Sequence, residues 1–193
     1  MKGAIALLAA AAGASTFVVA RPASALGPLD IEVGARVGGA SGPIKDDPPT
    51  NILGLGVGGR AGLSVFGIYG GVSGMYYFGG SATESAVTPT GGGSSSFKLT
   101  TSSWLYGFDG GYSFKFLFLT LRPVVGVGNY TIHSTVSGQA IQDVHNLYVE
   151  PGLMVLLGIG LWFVGADADV FLTPGLTDSK AAFMANGQVG VKF

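Results

Sequence analysis

Trp104-Leu105-Tyr106-Gly107-Phe108-Asp109-Gly110-Gly111-Tyr112-Ser113-Phe114-Lys115-Phe116 is the stretch on which the fold turns. Trp104, Tyr106, Phe108, Tyr112, Phe114 and Phe116 alternate with Leu105, Gly107, Asp109, Gly111, Ser113 and Lys115. Successive side chains of a strand point to opposite faces, so one face carries a row of rings and the other a carboxylate, a hydroxyl and an ammonium. A helical period of 3.6 would scatter both sets around the axis. One strand does not say which face meets solvent; the rest of the chain must.

Seven further segments share the period of two. Asp30, Glu32, Gly34 and Arg36 oppose Ile31, Val33, Ala35 and Val37. Leu53, Leu55, Val57, Ala61 and Leu63 oppose Gly54, Gly56, Gly58, Arg60 and Gly62, and a less regular segment runs from Ile68 to Phe78. Leu119, Leu121, Val125 and Val127 oppose Thr120, Arg122, Gly126 and Gly128; Pro123, which cannot donate to a ladder, predicts a bulge there. Leu147, Val149, Leu153, Val155 and Leu157 face away from Tyr148, Glu150, Gly152 and Met154. Trp162, Val164, Ala166, Ala168 and Val170 face away from Phe163, Asp167, Asp169 and Phe171, and Phe183, Ala185, Val189, Val191 and Phe193 from Met184, Asn186, Gln188 and Lys192. Long polar connections (38–50, 79–102, 132–144, 173–180) alternate with tight ones near 65–67, 115–118 and 158–160. That asymmetry belongs to transmembrane barrels, whose periplasmic turns are short and whose external loops are long.

The charges choose the solvent. Of nineteen charged residues after position 25, eleven fall on one strand face: Asp30, Glu32, Arg36, Arg60, Asp109, Lys115, Arg122, Glu150, Asp167, Asp169 and Lys192. The other eight lie in connections, and none is on the opposite face. A charge on a lipid face near the midplane costs about 2–4 kcal/mol, whereas a soluble barrel with an apolar cavity would place its charges outside. The expected fold is therefore all-β, a single antiparallel up-and-down transmembrane barrel of eight strands. Tyr76, Phe78, Trp104 and Tyr130 are expected to form one interfacial aromatic belt, and Phe66, Phe116, Phe118, Trp162 and Phe193 the other.

Composition agrees. The 193 residues are 48% apolar and 11% charged, with 34 Gly, no Cys and a formal charge of −1. So much Gly disfavours long helices, the charge gives no basic footprint for nucleic acid, and the missing Cys excludes disulfides and thiol chemistry. Lys2, the uncharged stretch Ala4–Ala20 and Ala23-Ser24-Ala25 read as a signal peptide at 1–25, cleaved before Leu26, leaving a barrel domain at 26–193. Removing Lys2 and Arg21 from the ten basic residues leaves eight against eleven acidic, a formal −3.

The eight segments, the alternating connections and the final strand Ala182–Phe193 resemble the small bacterial outer-membrane barrels of the OmpA, OmpX and OmpW type. The resemblance covers 26–193 and implies architecture rather than a task. It implies residence in the outer membrane with both mature termini periplasmic, contact with outer-membrane lipid, and insertion by the barrel assembly machinery. In that family a C-terminal aromatic on the last strand carries the assembly signal, here Phe193 with Val191 and Val189. No appended peptidoglycan-binding domain is expected.

Remaining motifs are read blandly. Gly54-Leu55-Gly56-Val57-Gly58-Gly59 fits a dinucleotide fingerprint, but no helical pattern follows it. Asp167-Ala168-Asp169 could offer two carboxylates to a hard cation, yet spacing of two on a strand merely turns both inward. No cofactor or metal is expected. His133 and Ser134 are adjacent, hence on opposite strand faces, with Asp143 in the same connection, so no catalytic triad and no enzyme is expected. Inward charges must pair in a narrow lumen. Counting back from the turns predicts one lumen network of Arg122, Glu150, Asp167 and Asp169, joined by Arg36 and Arg60. The expected role is structural or surface-interacting, through the charged lumen and the long loops; the alternative is a narrow diffusion channel for small polar or amphiphilic solutes.

Overall fold

The computed structural model describes residues 29–41, 53–79, 81–87, 94–136, 139–140, 143–174 and 181–193. The expected signal peptide and its cleavage site lie outside these residues, as do Lys45, Asp46, Asp47, Asp178 and Lys180. Eleven strand segments follow in chain order: β1 (Leu29–Ser41), β2 (Gly54–Val65), β3 (Ile68–Tyr77), β4 (Ser81–Val87), β5 (Ser94–Tyr112), β6 (Phe114–Phe116), β7 (Leu119–Val136), β8 (Gln139–Ala140), β9 (Val144–Ile159), β10 (Trp162–Phe171) and β11 (Ala182–Lys192). All pairings are antiparallel. Each of β1, β2, β3, β5, β7, β9, β10 and β11 pairs with two others of this set, and β1 meets both β2 and β11, so eight strands close a ring. Closure removes the sheet edge, which is what allows strands to cross a bilayer.

The exterior carries Val33, Val37, Leu63, Val72, Phe108, Val125, Leu153, Val164 and Val189, all exposed, while the charged strand residues take the opposite parity. The third segment becomes regular in three dimensions. Tyr69, Met75 and Tyr77 point in and Ile68, Val72 and Phe78 point out; Gly70 and Gly74 had blurred its outer face.

Four sequence expectations need correction. Pro123 introduces no bulge, because the β7–β9 register runs without a slip from Leu119↔Leu157 to Ile132↔Val144, with Pro123 opposite Leu153. On its other side the ladder pauses at Ser113, between β5 and β6, where the register brings Tyr112 opposite Pro123 and the missing N–H leaves nothing to donate. Toward β3 the ladder carries on, with Ser113 N–H donating to Gly67 O at 2.7 Å. Tyr130 is buried and faces the lumen, not the outer belt, since it shares the parity of Arg122. Leu53 also turns inward, because Gly54 adopts φ 61° and breaks the alternation. The connection at 79–102 is largely strand, with β4 continuing its hairpin against the start of β5 from Ser81↔Thr100 to Val87↔Ser94; residues 88–93 are outside the described set.

Two tight turns are strained. Phe66 and Leu117 both sit at φ 52°, a left-handed conformation that costs a bulky L-residue about 1–2 kcal/mol.

Candidate functional site

The lumen is filled in three layers. Nearest the tight turns, β1 supplies Glu32, β2 supplies Arg60 and β7 supplies Arg122, each turned inward by the strand alternation. Arg122 grips Glu32 with both ends of its fork, Nη1 to Oε2 and Nη2 to Oε1, each 2.8 Å. Its Nε donates to Ser113 Oγ at 2.7 Å, and its Cζ stands 3.9 Å from the centre of the Tyr69 ring. Arg60 donates from Nη2 to Glu32 Oε2 at 3.1 Å and reaches the Met154 sulfur with Nη1, and its Cζ stands 5.1 Å from the centre of the same ring. Arg122 has no exposed surface and Glu32 only 1%. Tyr69 fits because Gly62 and Gly71 leave room: a Cβ at Gly62 would sit 2.5 Å from the Tyr69 hydroxyl oxygen. Toward the turn end, Lys115 pairs with Asp30, and Lys192 stands 3.5 Å from the same carboxylate.

The middle layer reverses the stoichiometry. Arg36 Nη2 donates to Asp167 Oδ2 at 2.6 Å and to Asp169 Oδ2 at 3.5 Å. Asp167 also accepts from Asn186 Nδ2 at 2.7 Å and from Gln188 Nε2 at 3.0 Å. Asp109 accepts from Ser73 Oγ at 3.2 Å, and the register sets Asp109, Gly126 and Glu150 in one row across β5, β7 and β9. Gly152, opposite Asp169, leaves the space that the Asp169 carboxylate occupies. The third layer, toward the long connections, is apolar: Phe171 stacks on Tyr148 at 5.3 Å and meets Tyr130 edge-on at 5.4 Å, packed with Met75, Tyr77, Leu105 and Met184.

The six residues expected to form one network therefore divide. Arg36, Asp167 and Asp169 come together, with Glu150 among the carboxylates that face Arg36. Arg60 and Arg122 belong to the other layer, because the register puts Arg122 level with Met154 and Glu150 level with Gly126, four residues along β9. The partner of Arg122 is Glu32, ninety positions away in sequence and across the lumen. Parity had marked Glu32 as inward, but pairing through the lumen cannot be counted along neighbouring strands. The aromatic layer carried the same parity signal in Tyr77, Tyr130, Tyr148 and Phe171.

Val189 and Phe193 lie on the outer face of the closing seam, where Phe193 and Ile31 exchange backbone hydrogen bonds of 2.9 and 3.0 Å. His133 Nδ1 is 2.8 Å from Asp143 Oδ1, both largely solvated, and Ser134 projects from the opposite strand face, so the three do not assemble a triad.

A closed eight-stranded ring with an apolar exterior and an ionic interior defines the class: a small transmembrane β-barrel with the fold of outer-membrane proteins. A major outer-membrane protein of Thermus thermophilus superposes with a TM-score of 0.55 at 10% identity, over 86% of this chain and 99% of that one. The N-terminal barrel domain of Pseudomonas aeruginosa OprF gives 0.50 at 16% identity over 85% and 97%, and Neisserial surface protein A gives 0.50 at 15% over 86% and 97%. No protein-family model matches the sequence, and no curated protein matches it. The likeness is one of fold.

Proposed function

We propose that the chain is an integral outer-membrane barrel with a sealed lumen, whose role is structural or surface-interacting rather than solute conduction. The observation that carries this reading is the burial of Arg122, whose side chain lies across the lumen between Glu32 and Tyr69 with no exposed surface. The ionic layers and the aromatic layer above them lock neighbouring and opposite strands together, a use of buried ion pairs for register rather than for net stability. In this reading residues 1–25 are removed as a signal peptide, and both mature termini are periplasmic. The partners are outer-membrane lipid and the barrel assembly machinery, with Phe193, Val191 and Val189 as the assembly signal. The long connections supply the surface contacts.

Planar-bilayer recording of the purified barrel tests the sealed lumen. Wild-type protein is expected to give no resolvable current steps, and the double variant Arg122→Gly, Tyr69→Gly is expected to give them. Regular steps from the wild type would replace this reading with the narrow channel for small polar solutes.

A further inference from the structure

The three tight turns carry no polar side chain at their tips: Phe66-Gly67, Leu117-Phe118 and Ile159-Gly160-Leu161. Leu117 is fully exposed, Phe66 is 75% exposed, and Phe118 and Ile159 are exposed as well. Turns that project into water take Asn, Asp or Gly where φ is positive. Here Phe66 and Leu117 hold φ 52° instead, so backbone comfort is given up to keep two large apolar groups at the tips.

We propose that this turn rim is a lipid-anchoring surface, embedded in the interface of the leaflet at that end rather than projecting into water. The inference rests on the reading of the chain as a membrane barrel. Two further observations support it. At this end the ionic side chains among the described residues are Asp30, Lys115 and Lys192, and all three have the lumen parity, so the apolar exterior continues over the rim without a charged break. The height of the barrel agrees. The opposite girdle is marked by Tyr76, whose ring is 5.3 Å from Phe78 and 5.0 Å from Trp104. Between that girdle and the turn at Gly67 stands β3, ten residues long. At about 3.3 Å per residue and a tilt of about 40°, such a strand climbs roughly 25 Å, the height of the apolar band itself. On β3 no residues are left over to lift the Phe66-Gly67 turn clear of the membrane. A protein partner fits less well, since protein interfaces surround an apolar centre with a polar rim and these tips have none.

The chain has no Cys, so single-cysteine variants can be labelled cleanly. Leu117→Cys and Val125→Cys, the latter on the exterior at mid-height, would each carry a fluorescent label after refolding into phosphatidylethanolamine–phosphatidylglycerol vesicles. Quenchers would be iodide in water and doxyl groups near the headgroup or deep in the acyl chain. The label at 117 is expected to be shielded from iodide and quenched best by the shallow doxyl group, and that at 125 best by the deep one. Iodide quenching at 117 with lipid quenching at 125 would overturn the anchoring surface and leave the membrane barrel standing. Iodide quenching at both would remove the membrane barrel itself. As a second measurement, Phe66→Asn relieves the turn strain, so its barrel should be as stable as wild type or more so in detergent. It should nonetheless insert into vesicles several-fold more slowly; unchanged insertion would count against the anchor.

Discussion

The two ionic layers of the lumen use opposite arithmetic. Around Glu32, two guanidinium groups share one carboxylate; around Arg36, one guanidinium faces Asp167 and Asp169, with Glu150 beside them. The first layer makes up its deficit with a π face, the Tyr69 ring, and with the Ser113 hydroxyl. The second makes up its surplus of carboxylate with the amide donors of Asn186 and Gln188. The difference has a chemical consequence: a carboxylate can be neutralised by a proton, whereas a guanidinium stays charged at any pH a protein meets. The carboxylate-rich layer can therefore adjust when a partner is lost, and the guanidinium-rich layer cannot.

The most damaging way to test this contrast is Glu32→Ala, which leaves Arg60 and Arg122 buried together without a counter-ion. The expected loss is about 3–5 kcal/mol, read as a lower urea midpoint by heat-modifiable gel mobility, and it should not recover on acidification. A loss below about 1 kcal/mol would mean that water or lipid headgroups reach these guanidinium groups, and the sealed layer would be abandoned.

Arg36→Met strikes the other layer with a smaller effect, about 2–3 kcal/mol near neutral pH, because Asp167 keeps its two amide donors. A loss below about 1 kcal/mol would show that the amides of Asn186 and Gln188, not Arg36, hold these carboxylates.

The smallest effects belong to Tyr69. Its hydroxyl has no hydrogen-bond partner among the described residues, so Tyr69→Phe should change stability by no more than about 0.5 kcal/mol. Tyr69→Leu removes the ring beneath Arg122 and should cost about 1–2 kcal/mol. Equal losses from the two variants would place the value of Tyr69 in its hydroxyl and break the cation–π account.

Legibility varied by element. The strand faces were readable even where the outer face was weak, because a period of two needs only local geometry: that Asp109 and Phe108 take opposite faces follows from adjacency, and the charges of the other strands say which face is inward. Boundaries were less so. The β4 segment lies in a Ser- and Gly-rich stretch that reads as loop, and it is strand because the start of β5 offers it a ladder. Tyr130 was assigned to the outer belt by residue type against its parity, and parity was the better guide. Arg122 and Glu150 were paired by counting along β7 and β9, and the count was off because register depends on the turn actually formed.

Alternation and the sorting of charge by face are properties of consecutive residues, so the order of the chain was enough to specify a barrel with a charged inside and an apolar outside. Which inward groups meet was settled in three dimensions. Ring closure brings β1 against β11 and carries Glu32 across the lumen to Arg122, and a contact across a lumen depends on strand register and tilt summed around the whole ring, which no local pattern encodes.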